Sequence, residues 1–474
     1  MSRERSLGFV DLLKLIEMCN GNIEVKLTDL GATWVIRKRY RWKIDGDFME
    51  IRPVDDVTKV LKLPKVIQLT PRRIAFLGLY DGDGNKVRDG GREIGFSQRE
   101  INIHKFAHDM FLEIFGSQFP VKWSILEDTR RFETNEMKQE LNKLRSEIAG
   151  FGSTRRTDDV GLQKEYIKRE FLTAAQRVGL RVDESQLRTP VVSPKKGARA
   201  AGKSSLEYIQ NLTGSEKFLP LWLKIVRTCT DGIILNQQSV DDVLVFHGKP
   251  HETDLFVLDV ERYVRDIRWA TGRGRASYLV SALDADFFQI GKSKKVKVVV
   301  RRKLKMTPFI LLSAGIYLAE GDTKKDDFFV FENESVSLNV ALTSSETDYI
   351  RAFIELLETV GNNLVQSWKV KVGTKYQWET EELAQKLGVI TLRGGEKGQG
   401  YVRTLELDKE LKNWGLSNHP ILKEYSELYH HSEITGVGIP RVHILGPTQL
   451  APYFISLVRD CVFDFPGLSQ YMSK

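Results

Sequence analysis

Asp83 and Glu320 stand at matching places in this chain. Each lies thirteen residues beyond a Thr-Pro pair, Thr70-Pro71 and Thr307-Pro308, and the two pairs are half the chain length apart. Two carboxylates brought close repel one another unless a cation intervenes, and hard oxygen donors suit Mg²⁺ (or Mn²⁺), with waters and substrate phosphates completing the shell. An ion so held serves phosphodiester hydrolysis, because it activates water and stabilises the leaving oxygen. Lys86 and Lys324 follow the acids by three and four residues. They are placed either to offset phosphate charge or to be ordinary surface lysines.

The acids need rigid elements to meet. Thr at an N-cap followed by Pro at the first helical position predicts a helix from Pro71 to Asp83, and the same pattern predicts one from Pro308 to Glu320. Gly78 and Gly82 in the first, and Gly315 and Ala319 in the second, give each helix a small-residue face. Each interior glycine costs about 1 kcal/mol relative to alanine, which is tolerable if another backbone packs there. More of the chain repeats. Helical patterns end at glycine in "INIHKFAHDMFLEIFG" and "ETDYIRAFIELLETVG", and "LKIVRTCTDG" matches "ISLVRDCVFDF" through Val226-Arg227-x-Cys229 and Val458-Arg459-x-Cys461. Both halves then read as α-β-β-α-β-β-α, a duplicated α+β fold.

The stretches "FLGLYDGDG" (Phe76 to Gly84) and "SAGIYLAEG" (Ser313 to Gly321) resemble the two signature motifs of the LAGLIDADG homing endonucleases, of the two-motif, single-chain type. The resemblance covers about residues 70–232 and 307–465. It implies a pseudo-two-fold arrangement with the signature helices at its centre, Asp83 and Glu320 as metal-binding catalytic acids, and double-stranded DNA as substrate. The chain would act as a monomeric pseudo-dimer inside the cell, in the cytoplasm, nucleoid or another DNA-containing compartment. Gln98 resembles a family position that supports metal-bound water, with Ser344 in the corresponding place, and Lys371 a basic residue near the active site. DNA contacts are expected from Lys86, Arg88, Arg92, Lys324, Lys295, Lys297, Arg301, Lys369 and Lys371. The alternatives are a non-catalytic DNA-binding protein or an RNA-splicing maturase derived from the same fold.

The sequence departs from the family in places. The sixth position of the second motif is Leu318 rather than an acid, "NKVRDGGREIGF" turns after short arms, and "DDFFVFENES" carries acids that repel phosphate. The ending "YMSK" lacks the His-Asn pair of an intein, which leads us to expect a free-standing protein.

With 41% hydrophobic and 28% charged residues the 474-residue chain has a globular composition. The opening "MSRERSLGFV" has no secretory core, no apolar run is long enough to span a membrane, and the three cysteines form no CxxC pair. The net charge is +8, and the basic residues cluster in Ser193 to Lys203, in Lys292 to Lys305, read as a strand, and at Lys369 and Lys371 on one strand face. These patches suit phosphate or a plain solvated surface.

Four segments are expected: an α+β extension at 1–65, a first half at 66–235, a second extension at 236–305 and a second half at 306–474. The first opens on a helix, "FVDLLKLIEMC", followed by strands with a basic, aromatic character and a "DGD" turn; it is a candidate extra DNA contact. A charged helix is read over 135–148, and a loose, partly helical connection from Phe151 to Leu206. "TDLFVLDVERYVRDI" reads as a helix within a counterpart of the N-terminal extension, although "TDG" ending near Asp231 also echoes a degenerate third motif. His104 and His108, at i and i+4, fit either zinc or a helix surface.

Overall fold

The computed structural model describes residues 6–29, 32–84, 94–95, 101–116, 121–128, 132, 134–147, 156–179, 181–187, 189–192, 203–210, 215–271, 274–321, 339–344, 346–362, 364, 367–373, 390–394, 399–403 and 441–473. The fold is mixed α+β, with helices set among several small antiparallel sheets. Among the described residues no helix is long and apolar enough to cross a membrane.

The chain opens on a strand, β1 (Gly8–Asp11), and only then enters helix α1 (Leu12–Met18). This corrects the expected helix from Phe9. The Asp11 carboxylate accepts the Lys14 amide at 2.9 Å, so Asp11 is the non-helical cap. Strands β2 (Asn22–Asp29), β3 (Ala32–Asp45), β4 (Phe48–Pro53) and β5 (Leu61–Pro64) form one sheet, with the β3–β4 turn at Gly46 in the left-handed region (φ 59°). Strand β6 (Val66–Leu69) returns beside β1 and leads into α2 (Pro71–Asp83). After α3 (Ile101–Phe115) come β7 (Val121–Asp128), α4 (Asn135–Glu147), α5 (Arg156–Val178), β8 (Val191–Val192), β9 (Lys203–Gln210) and α6 (Leu219–Ile234).

The connection read as loose is ordered where it is described. Leu162, Tyr166, Ile167, Phe171 and Ala175 recur at helical spacing on α5 and bury against Met137, Leu141 and Leu144 of α4, a small core apart from the main one. Strand β9 then pairs with β7 from Val121↔Gln210 to Asp128↔Lys203.

The next strands, β10 (Ser239–Val240) and β11 (Leu244–Phe246), complete the sheet β10-β11-β1-β6, so the start of the 236–305 segment is structurally joined to the N-terminal one. "TDLFVLDVERYVRDI" is strand β12 (Phe256–Asp259) followed by α7 (Val260–Asp266), capped by Asp259 as α1 is by Asp11. It is therefore not one helix. Strands β13 (Arg268–Thr271) and β14 (Gly274–Ser277) form a hairpin, and β15 (Leu279–Ala282), β16 (Phe287–Gly291) and β17 (Val298–Arg301) a three-stranded sheet. Strand β18 (Lys303–Met306) pairs with β12, and helix α8 (Pro308–Glu320) follows. The strands that lead into α2 and α8 share one register: Gly8 faces Leu69 and Phe256 faces Met306, each one residue before its capping threonine.

The basic run Lys292 to Lys305 is not a continuous strand. Lys292 to Lys295 form a bend, strand structure resumes only at Val298, and the run is broken again at Arg302, whose guanidinium turns to Glu261 and to the carbonyls of Asp284 and Phe287. Beyond α8 lie β19 (Val340–Ser344), α9 (Thr347–Val360), β20 (Ser367–Gly373), β21 (Ile390–Gly394), β22 (Gln399–Arg403), β23 (Arg441–Gly446), α10 (Ala451–Phe463) and α11 (Phe465–Leu468). The five strands run β19-β23-β20-β22-β21. One hydrophobic core joins both halves around α2 and α8.

Candidate active site

Both central helices begin alike. Thr70 accepts the Arg73 amide at 3.4 Å and Thr307 the Ile310 amide at 3.3 Å, with Pro71 and Pro308 just inside. Aromatic side chains fix them from outside. Phe76 and Tyr80 of α2 meet Trp222 of α6 at ring distances of 6.2 and 5.3 Å, and Tyr317 of α8 meets Phe353 of α9 at 5.3 Å and Phe454 of α10 at 4.9 Å.

The helices touch each other through the small residues. A β-carbon on Gly78 would lie 2.2 Å from the Leu312 carbonyl oxygen, and one on Gly315 would lie 2.1 Å from that of Ala75. Neither space admits a side chain. Further along, a β-carbon on Gly82 would lie 2.4 Å from that of Ala319 and 3.4 Å from Cγ of Glu320. Contacts that advance together along both helices mean that they run parallel, in the register Gly78 with Gly315. Their C-terminal ends, carrying Asp83 and Glu320, therefore emerge on the same side.

The two ends are closed identically. Gly84 donates its amide to the Tyr80 carbonyl and Gly321 donates its amide to that of Tyr317, both at 2.7 Å. A β-carbon on Gly84 would meet the Tyr80 ring at 2.5 Å, and one on Gly321 the Tyr317 ring at 2.9 Å. These tyrosines, not singled out from sequence, explain why glycine follows each acid; the signal was their shared place in "LYDGD" and "IYLAE". Asp83 and Glu320 are half-buried. Two helix C-termini contribute partial negative charge beside two carboxylates, a setting that favours a cation.

The surroundings are not symmetric. In the first half Asp81, 2% exposed, sits 3.2 Å from Nε of Arg227 on α6, and the Tyr349 hydroxyl of α9 donates to the Asp81 carbonyl. Burial is the largest single influence on Arg227 and works against its charge, but Asp81, Tyr349, Glu346 and Asp231 together outweigh it and raise the guanidinium pKa further. Burial also raises Tyr349 well above the usual phenol range, so it stays a donor. Asp231, one turn on from Arg227, keeps contact with solvent, yet the protein around it, and then Asp81 and Asp348, push its carboxyl up to about 6. In the second half Leu318 replaces Asp81, and Arg459 lies over the Phe463 ring, which packs on Phe106 of α3. The polar cluster thus ties α2 and α6 to α9, while the place of Asp81 is apolar in the other half. Gly232, beside Asp231, faces Leu244 rather than a partner helix, unlike the glycines of α2 and α8.

No family model, curated protein or solved structure matches this chain.

The structure brings Gly78, Gly82, Gly315, Ala319, Asp83 and Glu320 into one constellation. Lys86, Arg88, Arg92, Gln98 and Lys324 lie outside the described residues. Ser344 ends β19 and accepts the Glu346 amide at 3.0 Å. Lys369 and Lys371 stand two places apart on β20, opposite Arg403 and Tyr401. Much of the other basic patch is engaged within the protein: Lys297 donates to Ser281 at 2.7 Å, Arg301 to Asn362 at 3.3 Å, and Lys305 pairs with Asp254 at 3.0 Å. Lys295 is exposed. His104 and His108 are half-buried on α3, and among the described residues no group of three or more His, Cys, Asp or Glu could hold a metal ion.

Proposed function

We propose that the chain is a metal-dependent DNA endonuclease built from two LAGLIDADG-type α-β-β-α-β-β-α units about a pseudo-two-fold axis. The observation that carries this reading is the parallel, in-register contact of α2 with α8, which leaves one acid at the end of each. The matching β1–β6 and β12–β18 registers support descent of both halves from one unit.

The donor set fits a hard divalent ion such as Mg²⁺ or Mn²⁺: two carboxylates at two helix C-termini leave most of the shell to water and substrate phosphate, the usual arrangement for Mg²⁺. Bound there, the ion supplies Lewis-acid activation of water and stabilisation of the leaving oxygen. Asp83 and Glu320 would hold it, one from each half. The Gly78 and Gly315 contact sets their separation, and Tyr80 and Tyr317 fix the turn that follows each acid.

The test is cleavage of supercoiled plasmid in Mg²⁺ or Mn²⁺, comparing the native chain with Asp83→Asn, Glu320→Gln and the double variant. Either single change should remove most cleavage and leave DNA binding nearly intact, since losing an acid lessens repulsion of phosphate. Full cleavage by the double variant overturns the assignment. Binding without cleavage by the native chain favours a non-catalytic descendant of the same fold.

A further inference from the structure

The sheet β2-β3-β4-β5 packs one face inward, with Tyr40 stacked on Phe218 at 6.1 Å and its hydroxyl bonded to the Lys217 carbonyl at 2.7 Å. Its other face is exposed and basic. Alternation along β3 turns Arg37, Arg39, Arg41 and Lys43 outward, and the register adds Lys26 of β2, opposite Val35, and Arg52 of β4, opposite Arg41. The acids on this face are already paired: Glu24 with Arg37 at 2.6 Å, Glu50 with Arg52 at 3.3 Å, and Asp45 with Lys62 of β5 at 2.7 Å. Lys26, Arg39, Arg41 and Lys43 have no ion pair among the described residues. Four cations without an ion pair among the described residues therefore share one surface.

Its shape points to a particular polyanion. Strand β3 pairs with β2 only over Ala32 to Arg39 and with β4 only from Tyr40 onward, so β2 and β3 make a two-stranded ribbon. Ile23 and Val25 bury the ribbon's inner side, leaving its basic side outward. From Arg37 to Lys43 the outward residues span about 20 Å at ~3.4 Å per residue, and successive ones are spaced about as far apart as neighbouring phosphates of a nucleic-acid strand. The ribbon carries Lys26, Arg37 and Arg39, and Arg41 and Lys43 stand on the adjoining β3–β4 pair; a two-stranded ribbon fits the major groove of B-form DNA, whereas the deep, narrow major groove of A-form RNA excludes it. Tyr40 and Trp42 face inward, and the outward Phe48 ring is covered by Lys62 at 5.3 Å, so the face offers little for stacking single-stranded bases.

We infer that the outer face of this ribbon and sheet is a second DNA-binding surface, gripping duplex phosphates through Arg39, Arg41 and Lys43 independently of Asp83 and Glu320. The contact is electrostatic and reads little sequence. Because it needs no cleavage, it stands or falls apart from the endonuclease reading.

The experiment is fluorescence anisotropy of a labelled 30-base-pair DNA duplex in EDTA, over a series of KCl concentrations, for the native chain and for Arg39→Gln/Arg41→Gln/Lys43→Gln. The native chain should bind with a steep salt dependence, and the variant should lower the slope of log K against log salt by about 2 to 3, near 0.9 per lost phosphate contact. The substitutions lie on an exposed face, so the melting temperature should hold, and cleavage chemistry is scored separately with Asp83→Asn. An unchanged slope and affinity, no duplex binding by the native chain, or an equal loss on duplex RNA or single-stranded DNA overturns the inference. Retained slope loss in a chain that never cleaves sustains it while the endonuclease reading fails.

Discussion

Replacing Gly78 by alanine sets two known effects against each other. In an exposed helix interior the change should stabilise by about 1 kcal/mol, because alanine costs less backbone entropy. Here the new β-carbon would sit 2.2 Å from the Leu312 carbonyl oxygen, 3.0 Å from its carbon and 3.2 Å from the Ile316 amide nitrogen. All three are backbone atoms and cannot rotate away, so reaching ordinary contact requires α2 and α8 to part by about 1 Å where they cross. Overpacking of this kind costs about 1 to 3 kcal/mol, and an immovable neighbour places it at the upper end. The net loss should be about 2 kcal/mol. Gly315→Ala meets the mirror-image obstacle, the Ala75 carbonyl at 2.1 Å and the Leu79 amide at 2.7 Å, and should cost a similar amount. One separation relieves both clashes, so the double variant should lose less than the two singles added, by at least about 0.5 kcal/mol. Urea unfolding followed by circular dichroism measures all three. Stabilisation by Gly78→Ala, or strict additivity in the double variant, would refute the close packing of the helices.

Three further outcomes follow from the same geometry. Asp81→Leu or Arg227→Met alone should cost about 3 to 5 kcal/mol by leaving a buried charge without its partner, whereas the double variant should recover much of that, because Leu318 already fills the corresponding place in the other half; equal losses in urea midpoint for all three would count against the pair. Burial raises the Glu355 carboxyl from 4.5 to about 6, opposed by Arg351, with His251 Nδ1 3.6 Å away. The folded chain therefore holds that proton more tightly than the unfolded one, so stability falls as pH rises from about 4.5 to about 6 and the full penalty, about 2 kcal/mol, persists above. Glu355→Gln should stabilise by up to that amount at pH 7.5 and by nothing near pH 4, and melts showing the same gap at both would contradict the assignment. Finally, on the proposed endonuclease reading, parting the central helices by about 1 Å should slow cleavage about 100-fold in Gly78→Ala, a loss read by plasmid nicking at a temperature where the variant remains folded.

What the sequence by itself determined is local. Thr70-Pro71 and Thr307-Pro308 cap their helices through atoms three residues away, and the observed α2 and α8 span the residues that this signal marks. The small face was equally legible, since Gly78, Gly82 and Gly315 leave few other uses for so much lost helix propensity and Ala319 completes the face. Tertiary structure decided whatever depends on partners far along the chain. "GFVD" and "FVLD" become strands because Leu69 with Phe246, and Met306, lie beside them, and no periodicity within so few residues reveals a neighbour dozens of places away. Lys297, Arg301 and Lys305 look in sequence like free cations for phosphate, yet Ser281, Asn362 and Asp254 already engage them. The Asp81, Arg227 and Tyr349 cluster draws on three helices from both halves, so its polarity, and the apolar character of its counterpart around Leu318, appear only when the chain is folded. Capping and helix propensity act through the few ångströms of a single turn, whereas strand pairing and charge compensation act between segments that only the closed core brings together.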